Sequence, residues 1–115
     1  MEHPVVWFEV LADESDRLQA FYAELFGWKI DAKNPMRYGM VQTGSKAGIP
    51  GGVGQRAQAF QHHVTFYVQS ADLEASLKRA VELGGKVVMP MTKLPDTTLA
   101  LFSDPEGNVI GLSQA

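Results

Sequence analysis

The side chains of this chain best placed to do chemistry are three histidines (His3, His62 and His63), the carboxylate Glu9 set within an apolar run, and the aromatic residues Trp7 and Tyr67. Side chains alternate across an extended backbone. In Val5-Val6-Trp7-Phe8-Glu9-Val10 this puts Val5, Trp7 and Glu9 on one face, and in His63-Val64-Thr65-Phe66-Tyr67-Val68 it puts His63, Thr65 and Tyr67 on one face. A carboxylate, an imidazole, a phenol and an indole on such faces suit a small-molecule pocket better than a dry core, because a buried polar group costs free energy unless it has a partner. Trp7 and Tyr67 would desolvate Glu9, which raises a carboxyl pKa. Glu9 would then be a usable base or hydrogen-bond donor near neutral pH, unless a protonated His63 holds it ionised. With Met40 and Phe102 adding apolar surface, the expected ligand-binding set is Trp7, Glu9, Met40, His63, Tyr67 and Phe102, and Glu9 is the expected catalytic residue if a reaction is run.

Other polar features have plainer explanations. His62 has the opposite parity to His63, which places it at a strand edge or under a helix as a satisfied structural histidine. The acids Asp13, Glu14 and Asp16 precede or open a helix, where negative charge meets the positive end of the helix dipole. Asp104-Pro105-Glu106-Gly107 reads as a turn between strands. The glycines at 48, 51, 52 and 54 lack the Lys-Ser/Thr element and the following helix of a phosphate loop. The absence of cysteine excludes disulfides, thiolate metal sites and a cysteine nucleophile. A metal would have to use His, Asp or Glu, and His3, Glu9 and His63 share the parity for an atypical set.

The elements that carry these residues occur twice. At an offset of 58, Phe8 to Ile30 lies over Phe66 to Val88, with Phe8/Phe66, Val10/Val68, Glu24/Glu82, Leu25/Leu83 and Gly27/Gly85 identical. Each half opens with a strand rich in β-branched and aromatic residues. A helix follows: in the first half Leu18, Phe21, Tyr22 and Leu25 form the stripe, with Asp13 or Ser15 as cap and Gly27 as stop. In the second, Leu73, Leu77, Ala80 and Val81 form it, with Ser70 or Asp72 as cap and Gly84-Gly85 as stop. Short extended runs complete each half, at 28–32, 38–43 and 48–54 and again at 86–89, 98–102 and 108–113. The expected fold is α+β, two tandem βαβββ modules forming curved mixed sheets around a cleft, with module one at about 1–57 and module two at about 58–115. Val6, Phe8, Val10, Val64, Phe66 and Val68 are expected under the helices. One such unit buries only one sheet face, so two must pair to finish a core.

The composition sets outer bounds. The chain has 115 residues, 45% apolar and 20% charged, and a net charge of −3, which is the size and make-up of one domain and no footprint for nucleic acid or an anionic membrane. No run approaches the roughly 18 to 20 apolar residues of a membrane span, and Met1-Glu2-His3-Pro4 has none of the marks of a signal peptide, so a cytoplasmic protein is expected.

Phe21-Tyr22-Ala23-Glu24-Leu25-Phe26-Gly27-Trp28, His63 to Val68, Ala80 to Gly85 and Phe102-Ser103-Asp104-Pro105-Glu106-Gly107-Asn108-Val109-Ile110 resemble the vicinal oxygen chelate superfamily of glyoxalase I, extradiol dioxygenases and bleomycin-resistance proteins. Trp7-Phe8-Glu9 resembles its glyoxalase-like branch, which includes homologues of a mycobacterial antigen-type hydroxylase. The resemblance implies tandem βαβββ modules around a cleft and, in metal-binding members, ligands from the first and last strands of each module. His63 matches one such position, whereas Val5, Gly111 and the Gly51-Gly52 segment, which fall on the others, have no donor. The resemblance therefore implies a small-molecule binding protein of the drug-sequestering type, without metal or other cofactor and working as a homodimer. The alternative is a glyoxalase-like lyase or isomerase, either metal-free with Glu9 as base or metal-dependent through an atypical ligand set.

Overall fold

In a computed structural model that describes residues 2–58, 60 and 62–115, the chain is α+β and runs through βαβββ twice. The elements are β1 (Val5–Ala12), α1 (Ser15–Phe26), β2 (Lys29–Asp31), β3 (Gly39–Gln42) and β4 (Gly51–Gln55), then β5 (Val64–Ser70), α2 (Leu73–Glu82), β6 (Lys86–Lys93), β7 (Thr98–Ser103) and β8 (Val109–Gln114). Two compact units emerge, Trp7–Val64 and Met1–Val6 with Thr65–Ala115. No helix among the described residues is long and apolar enough to cross a membrane.

In the Trp7–Val64 unit the strand order is β2-β3-β4-β1, with β1 and β4 parallel and the other neighbours antiparallel. The register sets Phe8 beside Gly51, Glu9 beside Gly52 and Val10 beside Val53, while Met40 of β3 also faces Gly52. Helix α1 covers the face that carries Phe8, whose ring meets Trp28 at 5.6 Å, and Trp28 in turn stacks on Tyr22 of the helix. Phe8 is thus on the helix side, where strand alternation put it. The helix itself is rotated from the expected stripe. Phe21 and Leu25 are exposed, whereas Ser15, Leu18, Gln19, Tyr22 and Ala23 are buried or partly so. Gln19 explains the difference, because its amide donates to the Val53 carbonyl at 2.7 Å and to the Arg37 carbonyl at 3.2 Å, which ties a polar position to the sheet. The start of α1 also departs from expectation. Glu14 holds the cap position without a side-chain bond, and Gln55 at the end of β4 accepts from the Ser15 amide instead. Gly27 closes the helix at φ 70°, a left-handed conformation that glycine takes without steric cost.

The other unit has the order β5-β8-β7-β6, with β5 and β8 parallel and the rest antiparallel. Its core is Leu73 and Leu77 of α2 against Ala100 and Leu112, joined by Val68 and Phe102. Asp72 caps α2 by accepting from the Ala75 amide at 3.1 Å. Asp104 holds the β7–β8 turn by accepting from the Asn108 amide and side chain, which supports the reading of this segment as a turn. One expectation fails. Val68 lies under α2, but Val64 is 71% exposed and Phe66 39% exposed, while Thr65 and Tyr67 are buried. Alternation correctly divides β5 into two faces. Which face is covered depends on how far along the strand α2 reaches, and its ten residues reach Val68 only.

Candidate functional site

On the helix-free face of the Trp7–Val64 unit, Glu9 is the centre of a hydrogen-bonded group. Tyr38 Oη donates to Glu9 Oε2 at 2.8 Å, and Trp7 Nε1 donates to Tyr38 Oη at 3.0 Å. Glu9 Oε1 lies 2.7 Å from His62 Nε2, with the two side chains 7% and 3% exposed. The local sequence accounts for this placement. Glu9, Gly52 and Met40 form one row across β1, β4 and β3, so they share a face. Tyr38, just before β3, has the same parity as Met40, and its ring lies over Gly52 and Gly54. A Cβ on Gly52 would fall on the phenol, and one on Gly54 would come within 2.6 Å of the ring. The glycines at alternate positions of β4 are the floor on which this tyrosine rests. Burial, and then the charge of Glu9, push the Tyr38 hydroxyl well above the ordinary tyrosine range. The phenol stays protonated and donates, so Oε2 serves as acceptor. Between Oε1 and His62 Nε2 there is room for one proton, which either neutral imidazole or imidazolium supplies.

The structure brings Trp7 and Glu9 together through Tyr38. Met40 shares their face and is half-exposed. His63 is exposed, and its Nε2 lies 2.8 Å from Arg56 Nη1. A guanidinium only donates, so this nitrogen accepts and the Glu9 partner is His62 instead. The expectation for His62 is thereby corrected. It precedes β5, so strand parity does not govern it, and it is buried against the carboxylate. Its Nδ1 is buried with no hydrogen-bond partner. Phe102 is also corrected. It packs against Leu73, Leu77, Ala100 and Leu112 on the α2 side of its sheet, because its position in the β7–β8 register puts it there. Tyr67 is buried in the other unit with its ring against Gly111, and Thr65 Oγ1 donates to the Val109 carbonyl at 2.7 Å. Sequence reasoning missed Tyr38 and His62. For Tyr38 a signal existed, since glycines two apart on one strand leave a slot for a ring from the neighbouring strand.

The same geometry tests whether these residues fit the metal implied by the resemblance, and they do not. Val5 has no donor atom. A ligand at 52 would displace Tyr38 and one at 111 would displace Tyr67. His63 is engaged by Arg56, and His3 Nδ1 lies 3.2 Å from the Gln69 carbonyl. Among the described residues no three His, Asp or Glu side chains group as a metal site, the set His3, Glu9 and His63 included. Two open depressions of about 510 and 410 Å³ lie on this unit. The first lies at the start of α1 along Glu14, Arg17, Arg37 and Gln55, and the second along Asp13, Arg56, Ala57, Gln58 and Phe60. Glu9 lines neither, but Phe60, a wall of the second, meets His62 edge-on at 5.9 Å.

Comparison with known proteins agrees with this fold. A glyoxalase-like domain model matches residues 6–113. CFP32 of Mycobacterium bovis and Mycobacterium tuberculosis, which carries a provisional name as a glyoxylase, is 27% identical over 95% of this chain. The chain spans 44% of the length of that relative. A glyoxalase/bleomycin resistance protein/dioxygenase superfamily member from Vibrio splendidus has a similar structure, with a TM-score of 0.64 and 16% identity over 98% of each chain. Methylmalonyl-CoA epimerase from Streptomyces coelicolor gives 0.64 and 13% identity over 96% of each chain, a likeness of fold. The match over nearly the whole chain and the doubled βαβββ order together establish that this chain belongs to the glyoxalase-like domain family of the vicinal oxygen chelate superfamily.

Proposed function

We propose that this chain binds a small aromatic or apolar molecule without a metal, at the helix-free face that carries Trp7, Tyr38, Met40 and Glu9. The observation that carries the reading is the Tyr38 phenol seated where a ligand side chain at Gly52 would stand and donating to Glu9. The hydrogen bonds of Tyr38 and His62 to Glu9 support a binding site that uses no metal. Trp7 and Tyr38 offer ring surface with polar ends, and half-exposed Met40 offers an adaptable apolar contact. Native mass spectrometry with metal analysis, on protein purified without chelator or affinity metal, tests this reading directly. The expected result is a chain with no stoichiometric metal. About one Ni, Zn, Fe or Mn per chain, with function lost on chelation, would overturn it.

A second reading, a metal-free lyase or isomerase, is favoured by one feature, the 2.7 Å contact between a buried carboxylate and a buried imidazole. Exchange of solvent deuterium into a ligand recovered from the protein would support that reading over simple binding. A homodimer forms part of the proposal, because β5 leaves Val64 and Phe66 exposed.

A further inference from the structure

Among the described residues, His62 Nδ1 and Arg56 Nε are buried side-chain nitrogens without a hydrogen-bond partner. Arg56 Nε still lies 3.4 Å from Asp13 Oδ1 and is compensated by that charge, whereas His62 Nδ1 has no hydrogen-bond partner among the described residues. When the His62 ring is neutral, the arrangement around it also determines what this atom is. Tyr38 donates to one oxygen of Glu9, so the carboxylate presents its other oxygen to His62 Nε2 as an acceptor, which keeps the imidazole proton on Nε2. In the neutral ring the opposite nitrogen, Nδ1, is then a lone-pair acceptor. A carboxylate that fixes the tautomer of an imidazole and leaves its far nitrogen unpaired is the arrangement that makes a histidine a specific acceptor or base. The ring of Phe60 lies edge-on over His62 and forms a wall of the open depression along Asp13, Arg56, Ala57 and Gln58.

We propose that His62 Nδ1 is the ligand-recognising atom of this protein, accepting a hydrogen bond from a hydroxyl or N–H of an aromatic ligand, with Glu9 as its positioning residue. The inference rests on the small-molecule reading above and exchanges the expected roles. Glu9, bonded by Tyr38 and His62, orients, and His62 contacts the ligand. Phenol and anisole are the probes, because they share a ring and differ in the donor. Titration followed by tryptophan fluorescence is expected to show phenol binding at least about tenfold more tightly than anisole, the ratio expected of one hydrogen bond.

His62→Gln keeps an amide that can donate to Glu9 but has no atom at the Nδ1 position, so it removes the preference while anisole binding persists. Glu9→Gln presents an N–H to His62 Nε2 and moves the ring proton to Nδ1, so it also removes the preference. Long-range ¹H–¹⁵N correlation spectra, which report the tautomer, are expected to show His62 protonated at Nε2 in the wild type and at Nδ1 in Glu9→Gln. A merely structural Glu9 would not produce that exchange. Equal affinities for the two probes, or a wild-type His62 protonated at Nδ1, would overturn the assignment and leave the small-molecule reading standing. If neither probe binds while the Nε2 tautomer is present, the small-molecule reading fails and takes this assignment with it.

Discussion

At the scale of residues, the informative group is Tyr38, because it connects a tryptophan to a buried carboxylate. Its hydroxyl is held above its ordinary value of 10.0 by burial and by the charge of Glu9. In the unfolded chain it ionises near that ordinary value. Above about pH 10 the unfolded state therefore loses a proton that the folded state keeps, and stability falls as pH rises. Below the unfolded value the contribution is fully present. The limiting slope for one such proton is about 1.4 kcal/mol per pH unit. Urea denaturation between about pH 9 and 11 is expected to show this fall in the wild type and to show it reduced by one proton in Tyr38→Phe. Near neutral pH the same substitution strips Trp7 Nε1 of its acceptor and Glu9 of a donor, and should cost about 1–3 kcal/mol. Identical pH slopes in the two proteins would show that the phenol is not held neutral by the fold.

Strand β4 is the element that makes the site, and it does so by lacking a side chain at three of its five positions. Gly52 and Gly54 accept the Tyr38 ring, and Gly51 accepts the Phe8 ring on the helix side. The parallel pairing of β1 with β4 brings Glu9 alongside Gly52. In the other unit the pairing of β5 with β8 brings Tyr67, at the repeat offset of 58 from Glu9, alongside Gly111. The repeat has thus kept the pattern of a bulky or functional residue beside a bare glycine and changed the chemistry at the bulky position. Gly52→Ala is expected to destabilise by about 1–3 kcal/mol through overpacking. Its cost in a Tyr38→Ala background should be much smaller, since the ring that it meets is gone. Equal costs in both backgrounds, measured as a double-mutant cycle, would mean that Tyr38 is not what excludes a side chain at 52.

For the whole molecule, the prediction concerns assembly. Phe66 on β5, with Val87, Met91 and Leu94 of the same unit, leaves apolar side chains exposed. A homodimer is expected at tens of micromolar, a concentration at which a Kd near 1 μM leaves mostly dimer. Sedimentation equilibrium should give about twice 12.6 kDa. Phe66→Glu should shift it towards the monomer, because like charges would face each other across a twofold interface. A wild-type monomer under these conditions would refute the assembly.

Much of this protein was legible in its sequence because the relevant information is local and periodic. Strand composition, Gly27 as a left-handed stop, Asp72 as a cap and the offset of 58 were enough for an α+β chain that runs through βαβββ twice, and alternation alone placed Phe8 and Glu9 on opposite faces of β1. Adjacent sequence also brought Trp7 and Glu9 onto one face. What it could not decide were contacts between residues far apart in the chain whose partners are set by register and loop path. His62 and His63 are neighbours of identical chemistry. Only the path from β4 into β5 sends one to the buried carboxylate and the other to Arg56. Tyr38 reaches Glu9 across 29 positions because two glycines of a third strand leave it room. Phe102 and Phe66 look alike as strand aromatics, yet one packs partly buried against the α2 core and the other is exposed, since coverage is a property of packing and not of a residue's own hydrophobicity.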